Sequence, residues 1–339
     1  MSEFRFCLWL PFQVERLDVR WLAEIGIYGI MGPTEVLTAT FADLLHSYGL
    51  RVFPQWPEWE RLGLSGPAEA FRNHLGLMAA NEVGPLGSPS YWHPFANELA
   101  SLLLDDLEAS RPDGLLIIPR YSDNPFPKHW ERVDEDNFLN NAQFYSFDQW
   151  AVADWARHSD EPMPTHASVT LDNSLGTSHD FYRWYQGAWQ RRIEELTAAA
   201  LAAGHRELYT WYAPLPALTC ENIALGSYNS AWVYDKWVRQ VTNQGGHPTI
   251  LATCLFASWL PMRSTAIAMT LDLVEKHGWD MMAGAEICNS TDGVLIGLLN
   301  NGFFGKRNGL SLFGSGRYFF DPVNRRPLTE LVRRLVDAE

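Results

Sequence analysis

The chain is poor in the residues that would announce redox, metal or nucleotide chemistry. Four cysteines (Cys7, Cys220, Cys254 and Cys288) stand far apart among 339 residues, with no CxxC pair and no metal-ligand spacing. The expectation is reduced, buried thiols. Ten histidines form no HxH or HExxH pattern, so no zinc site is predicted. No GxGxxG fingerprint follows the first strand-like run, which weakens the case for a doubly wound dinucleotide fold. Positive charge is also scarce: 26 Lys and Arg against 40 Asp and Glu leave a formal charge of −14. A field of that sign repels phosphate, so nucleic acid and anionic membranes are not expected partners. No run approaches the roughly 18 apolar residues of a membrane helix. The N-terminal MSEFRFCLWLPF has no small-residue cleavage site and reads as a first strand. These absences predict a soluble, cytoplasmic chain that needs no cofactor.

Apolar and aromatic residues are plentiful, at 47% and 13% of the chain, enough to bury a large core. Eight short runs read as strands: 4–11, 27–32, 51–56, 114–121, 167–172, 207–213, 249–256 and 280–287. Each is nearly continuously apolar, as parallel strands covered on both faces are. Helical patterns lie between them at 18–25, 33–48, 97–110, 181–203, 230–243 and 264–277, with a last one at 328–338. Gly49, Gly204, Gly245 and Gly278 are the expected helix stops. Eight strands with intervening helices predict one α/β domain over 1–339, a (β/α)8 TIM barrel. Long βα-loop insertions are expected at 57–95, 122–163 and 292–320, on the face where such barrels keep their active sites.

The residues that end these strands are carboxylates, amides and large aromatics. They are Trp56, Tyr121 and Asp123, Asp172 and Asn173, Trp211 and Tyr212, Trp259, and Glu286 with Asn289. Sugars present apolar C–H faces that stack on indole or phenol rings, while acids and amides bind their hydroxyls. A carbohydrate is therefore the expected partner. Many of the fifteen tryptophans are also expected to fill the space between barrel and helices.

Cleaving a glycosidic bond takes two carboxyl groups, one to protonate the leaving oxygen and one to attack or to activate water. Asp172 and Glu286 form the expected catalytic pair, because each ends an otherwise apolar strand. Glu286 sits among Met281, Met282, Ala283 and Ile287, where desolvation favours the protonated acid. Asp172, beside Asn173 and Ser174, suits the ionised partner. Trp56, Tyr121, Asp123, Asn173, His179, Trp211, Tyr212, Trp259 and Asn289 are the expected substrate contacts. Other roles stay open: Asp172 also suits a helix N-cap, and Glu286 could pair with Arg120 or Arg263. Asp123 is the first substitute for Asp172. A divalent ion on Asp123, Asp172 and Glu286 would make the chain a metal-assisted sugar or sugar-phosphate isomerase, lyase or aldolase. A non-catalytic carbohydrate-binding barrel is the third reading. The glycine-rich stretch 300–319, with Lys306, Arg307 and Arg317, could cradle a phosphate.

The stretches VTLDNS, AGAEICNS, FPQWPEW and LYTWYAP give the chain a resemblance to the TIM-barrel glycoside hydrolases. That resemblance implies Asp172 as nucleophile and Glu286 as acid/base. The large clan of such barrels that uses two glutamates carries them after strands four and seven. The strand count above puts the two acids after strands five and eight.

Overall fold

The computed structural model describes residues 5–10, 17–56, 71–72, 90, 100, 104, 107, 110–117, 145–147, 149–165, 177–212, 229–252, 272, 274–287, 310–314, 323 and 325–337. The strands are β1 (Phe6–Trp9), β2 (Gly29–Gly32), β3 (Arg51–Trp56), β4 (Phe71–Arg72), β5 (Gly114–Ile117), β6 (Tyr145–Ser146), β7 (Glu207–Tyr212), β8 (His247–Ala252), β9 (Met281–Ile287) and β10 (Leu310–Gly314). The helices are α1 (Val19–Glu24), α2 (Ala39–Ser47), α3 (Gln149–His158), α4 (Thr177–Ala202), α5 (Asn229–Asn243) and α6 (Arg325–Asp337).

Eight strands close into a parallel barrel in the order β1, β10, β9, β8, β7, β5, β3, β2. Followed from Ala252 through Ala283, Leu310 and Phe6 and on around the ring, the pairing returns to β8 eight residues from where it began. Eight strands with an offset of eight is the strand geometry of a TIM barrel. Gly114 permits one tight seam of that ring: a Cβ there would lie 2.2 Å from the carbonyl oxygen of Glu207.

The ring differs from the expected one in two places. β5 pairs directly with β7, Gly114 opposite Glu207 and Ile117 opposite Thr210. The ring is therefore complete without 167–172, which lies outside the described residues. Conversely, 310–314, expected inside a glycine-rich loop, forms β10 and closes the barrel between β1 and β9. LSLFG is short and glycine-flanked, so its composition reads as loop while its neighbours dictate a strand. The other expected strands match closely, and 51–56 coincides with β3. The helix expected from Pro33 starts at Ala39 instead, because the Thr38 side chain caps it by accepting from the Phe41 amide at 3.4 Å. The stops expected at Gly49 and Gly204 take left-handed φ of +77° and +98°.

Alternate strand residues divide two cores. Phe6, Leu8, Ile30, Val52, Leu115, Leu208, Ile250 and Met281 face outward with Leu45, Leu196, Trp237 and Val332 of the helices. Cys7, Trp9, Met31, Phe53, Leu116, Tyr209, Leu251 and Met282 fill the barrel. A third cluster lies away from the ring, where Ala151 and Trp155 of α3 meet Phe181, Trp184 and Tyr185 of α4. At 26 residues α4 is about 39 Å long, roughly twice a six-residue strand. Its later turns pack on the barrel through Ile193, Leu196, Ala200 and Leu201. Its first turns carry the aromatic cluster, and Asp154 of α3 locks it. The Asp154 carboxylate accepts from Ser90 Oγ at 3.1 Å, Trp184 Nε1 at 3.1 Å and Arg157 Nη2 at 3.0 Å, and pairs with Arg191. The expected insertions 57–95 and 122–163 thus meet each other, through Ser90 and also through β4 and β6, where Phe71 faces Ser146.

The N-terminal end of the barrel is closed by a polar network. Arg5 donates to Glu207 at 3.3 Å, Asp280 at 2.7 Å and Thr249 at 3.1 Å. Arg51 donates to the other Glu207 oxygen at 2.6 Å, and the Tyr28 hydroxyl reaches the same carboxylate at 3.0 Å, joined by Tyr209. Burial pushes the Tyr28 hydroxyl up to about 12, with Glu207 adding to the shift. Burial also raises Tyr209 and the Cys7 thiol. Burial lowers Arg5, but Tyr209, Asp280 and Glu207 outweigh it and hold the guanidinium above its ordinary value.

Two predictions follow from these contacts. Asp154→Ala leaves a buried hydroxyl, an indole N–H and Arg191 without their acceptor, at a cost of about 3 kcal/mol. Urea titration should show a loss of that order, whereas a loss below about 1 kcal/mol would mean that Asp154 does not lock α3 to α4. The second concerns pH. Tyr28 titrates higher in the folded chain than its ordinary value of 10.0, so its contribution is complete below pH 10 and disappears as pH climbs towards 12. Stability should therefore fall through that window, and Tyr28→Phe should flatten part of the fall. Equal pH slopes in the two proteins would contradict the assignment.

Candidate active site

The N-terminal end of the barrel is occupied by Arg5, Arg51, Glu207 and Asp280, which leaves the end where the strands finish as the place to look for a site. Glu286 is the sixth of seven residues in β9, next to that end. In chain order β9 is the seventh barrel strand, not the eighth as the sequence suggested, because 167–172 is not needed in the ring and β10 follows. Met282 belongs to the barrel interior, and Glu286 stands four residues further, an even step along a strand whose residues alternate. The same register position is reached from the other side, since Trp9 pairs with Phe313 and Phe313 pairs with Glu286.

Trp211 and Tyr212 are the last two residues of β7 and occupy the same end of the barrel. Trp211 is two residues beyond interior Tyr209, and Tyr212 has the opposite parity. Trp56 ends β3, but its side chain is 1% exposed and packs in the helix-facing core. His179 lies in the first turn of α4. That helix leads into the start of β7, so it runs antiparallel to the strands and begins at the strand-finishing end. Asp172 and Asn173, Tyr121 and Asp123, Trp259, Asn289, Arg120, Arg263 and the cations of 300–308 and 317 lie outside the described residues.

Trp9 was missed in the sequence. It ends β1 and belongs to the interior cluster, yet FRFCLWLP is apolar on both faces, so no alternation marked which residues point inward. The polar network at the opposite end was missed as well, because its members are spread over six strands that lie far apart in sequence. Among the described residues no cluster of three or more His, Cys, Asp and Glu is placed to hold a metal ion. Among them, too, no helix is long and apolar enough to cross a membrane.

No protein-family profile matches the sequence, and no curated protein matches it. Solved structures do. The catalytic domain of a β-amylase from Paenibacillus polymyxa is similar at a TM-score of 0.58, with 11% identity and 92% of each chain covered. A GH18 chitinase from Pseudoalteromonas aurantia is similar at 0.50, with 8% identity, over 99% of this chain and 100% of the chitinase. At these identities the likeness concerns the fold: the chain has the fold of TIM-barrel glycoside hydrolases.

Proposed function

We propose that the protein is a glycoside hydrolase built as a full (β/α)8 barrel, with Glu286 as its general acid. The observation that carries this reading is the position of Glu286. It stands at an interior register position beside the open end of the seventh strand, in a barrel whose other end is shut by ion pairs. In the barrels that use two glutamates, one of them follows strand seven, so the observed strand order strengthens the resemblance that the sequence suggested. The fold shared with a β-amylase and a chitinase supports a carbohydrate substrate.

In this mechanism Glu286 gives its proton to the glycosidic oxygen as the bond from the anomeric carbon breaks. A second carboxylate either attacks that carbon or removes a proton from the water that does. Asp172 takes this part. It stands five residues before Thr177, where α4 begins at the strand-finishing end, a span of at most about 18 Å of chain. Asp123 is its competitor, six residues after Ile117 on the fourth barrel strand. Trp211, Tyr212 and His179 contribute contacts from the same end, with Asn173, Tyr121, Trp259 and Asn289 from the connecting segments. No cofactor takes part, and the chain works as a soluble, cytoplasmic enzyme.

Glu286→Gln keeps the shape of the side chain and removes its proton. Turnover of a cleaved oligosaccharide should fall about 10²–10⁴-fold, with KM changed only a few-fold. A near-normal rate would remove Glu286 from the chemistry. Asp172→Asn and Asp123→Asn, assayed alongside, identify the partner as the one whose loss matches.

A further inference from the structure

α4 reaches beyond its neighbour on the barrel. Trp237, eight residues into α5, donates its indole N–H to the Thr197 hydroxyl, twenty residues into α4, at 2.9 Å. The Gln240 amide, eleven residues in, donates to the Glu194 carbonyl, seventeen residues in, at 2.8 Å. α4 therefore starts six to twelve residues further out at the strand-finishing end, about 9–18 Å. Its packing on the barrel begins at Ile193, whereas Phe181, Trp184 and Tyr185 of the outer stretch cluster with Ala151 and Trp155 of α3. Apolar contact of this kind is non-directional. Direction comes from Asp154, which is only 8% exposed. Its carboxylate accepts from Trp184 Nε1 at 3.1 Å and pairs with Arg191, seven residues along the helix. Seven residues make two turns, so both partners lie on one face. A single carboxylate thus fixes the rotation of the outer helix as well as its distance from α3. A bond from Ser90 Oγ at 3.1 Å ties the insertion after β3 to the same point.

The outer end of α4 bears on the reaction proposed above. His179 is in its first turn, and Asp172 precedes Thr177 by five residues. A displacement of about 1 Å, even from a change far from the chemistry, costs on the order of 10²-fold in rate. We propose that Asp154 is a positioning residue for the hydrolysis: by fixing the outer half of α4 it sets the place of the segment that bears Asp172 and His179 relative to Glu286. This rests on the glycosidase reading and gives the inserted α3 a part in the reaction without contact to the sugar.

The test uses the full chain with Glu286 intact, assayed on α- and β-linked tetrasaccharides of glucose and of N-acetylglucosamine. Asp154→Asn keeps the size of the side chain and removes its charge. Amide hydrogen exchange should quicken over 177–185 while β1, β2 and β3 keep their protection. With folded protein counted by near-ultraviolet circular dichroism, kcat/KM per folded molecule should fall about 10²-fold. Should Asp154→Asn fail to fold, Arg191→Met takes its place, since it keeps the apolar stem and loses only the ion pair; a several-fold fall is then expected. Wild-type kcat and KM in the folded variant, whatever its melting temperature, would overturn the role of Asp154 and leave Glu286 in place. So would a fall in kcat/KM without faster exchange over 177–185, because the effect would not pass through α4. Absence of turnover of every tetrasaccharide by the wild type would overturn both readings.

Discussion

The carboxylate of Glu207 is the point on which this barrel depends. It receives Arg5 from ahead of β1, Tyr28 from ahead of β2, Arg51 from the start of β3 and Tyr209 from its own strand. Arg5 carries the connection on to Thr249 in β8 and Asp280 ahead of β9. One charge-balanced network, two arginines against two acids, thereby pins the starts of six of the eight strands. Buried ions are costly unless paired and fully hydrogen-bonded, so the network tolerates few other arrangements of the strands that bear it. Closing one end in this way leaves chemistry to the other.

From that closed end upward the interior changes character. Apolar side chains without exposed surface follow the ion pairs, and beyond them comes the register row that holds Trp9, Phe313 and Glu286. The long α4 extends the same end with an aromatic cluster that Asp154 fastens to the inserted α3. The proposed acid is carried by a strand of the ring, as in barrels whose chemistry varies by loop.

Much of this was legible in the sequence. Doubly covered parallel strands are continuous apolar runs, so β1, β2, β3, β5, β7, β8 and β9 could be located from pattern alone. Glycine at 49, 204, 245 and 278 marked helix ends because each adopts a positive φ that other residues resist. What failed did so for physical reasons. LSLFG is too short and too glycine-flanked to declare itself a strand, and ASVTLD, outside the described residues, has no place in the ring between β5 and β7, which pair directly. These two errors nearly cancelled in the count of eight but moved Glu286 from the seventh place to the eighth. Inward and outward faces were equally hidden, since both are apolar, and with them the place of Trp9.

The central claim is that a sugar binds across the strand-finishing end of the barrel with its scissile oxygen at Glu286. A crystal structure of the Glu286→Gln protein soaked with a tetrasaccharide tests this most directly. The account predicts a glycosidic oxygen within hydrogen-bonding distance of the residue 286 amide, about 3 Å. A sugar bound elsewhere on the chain, with residue 286 making no contact to it, would contradict the claim.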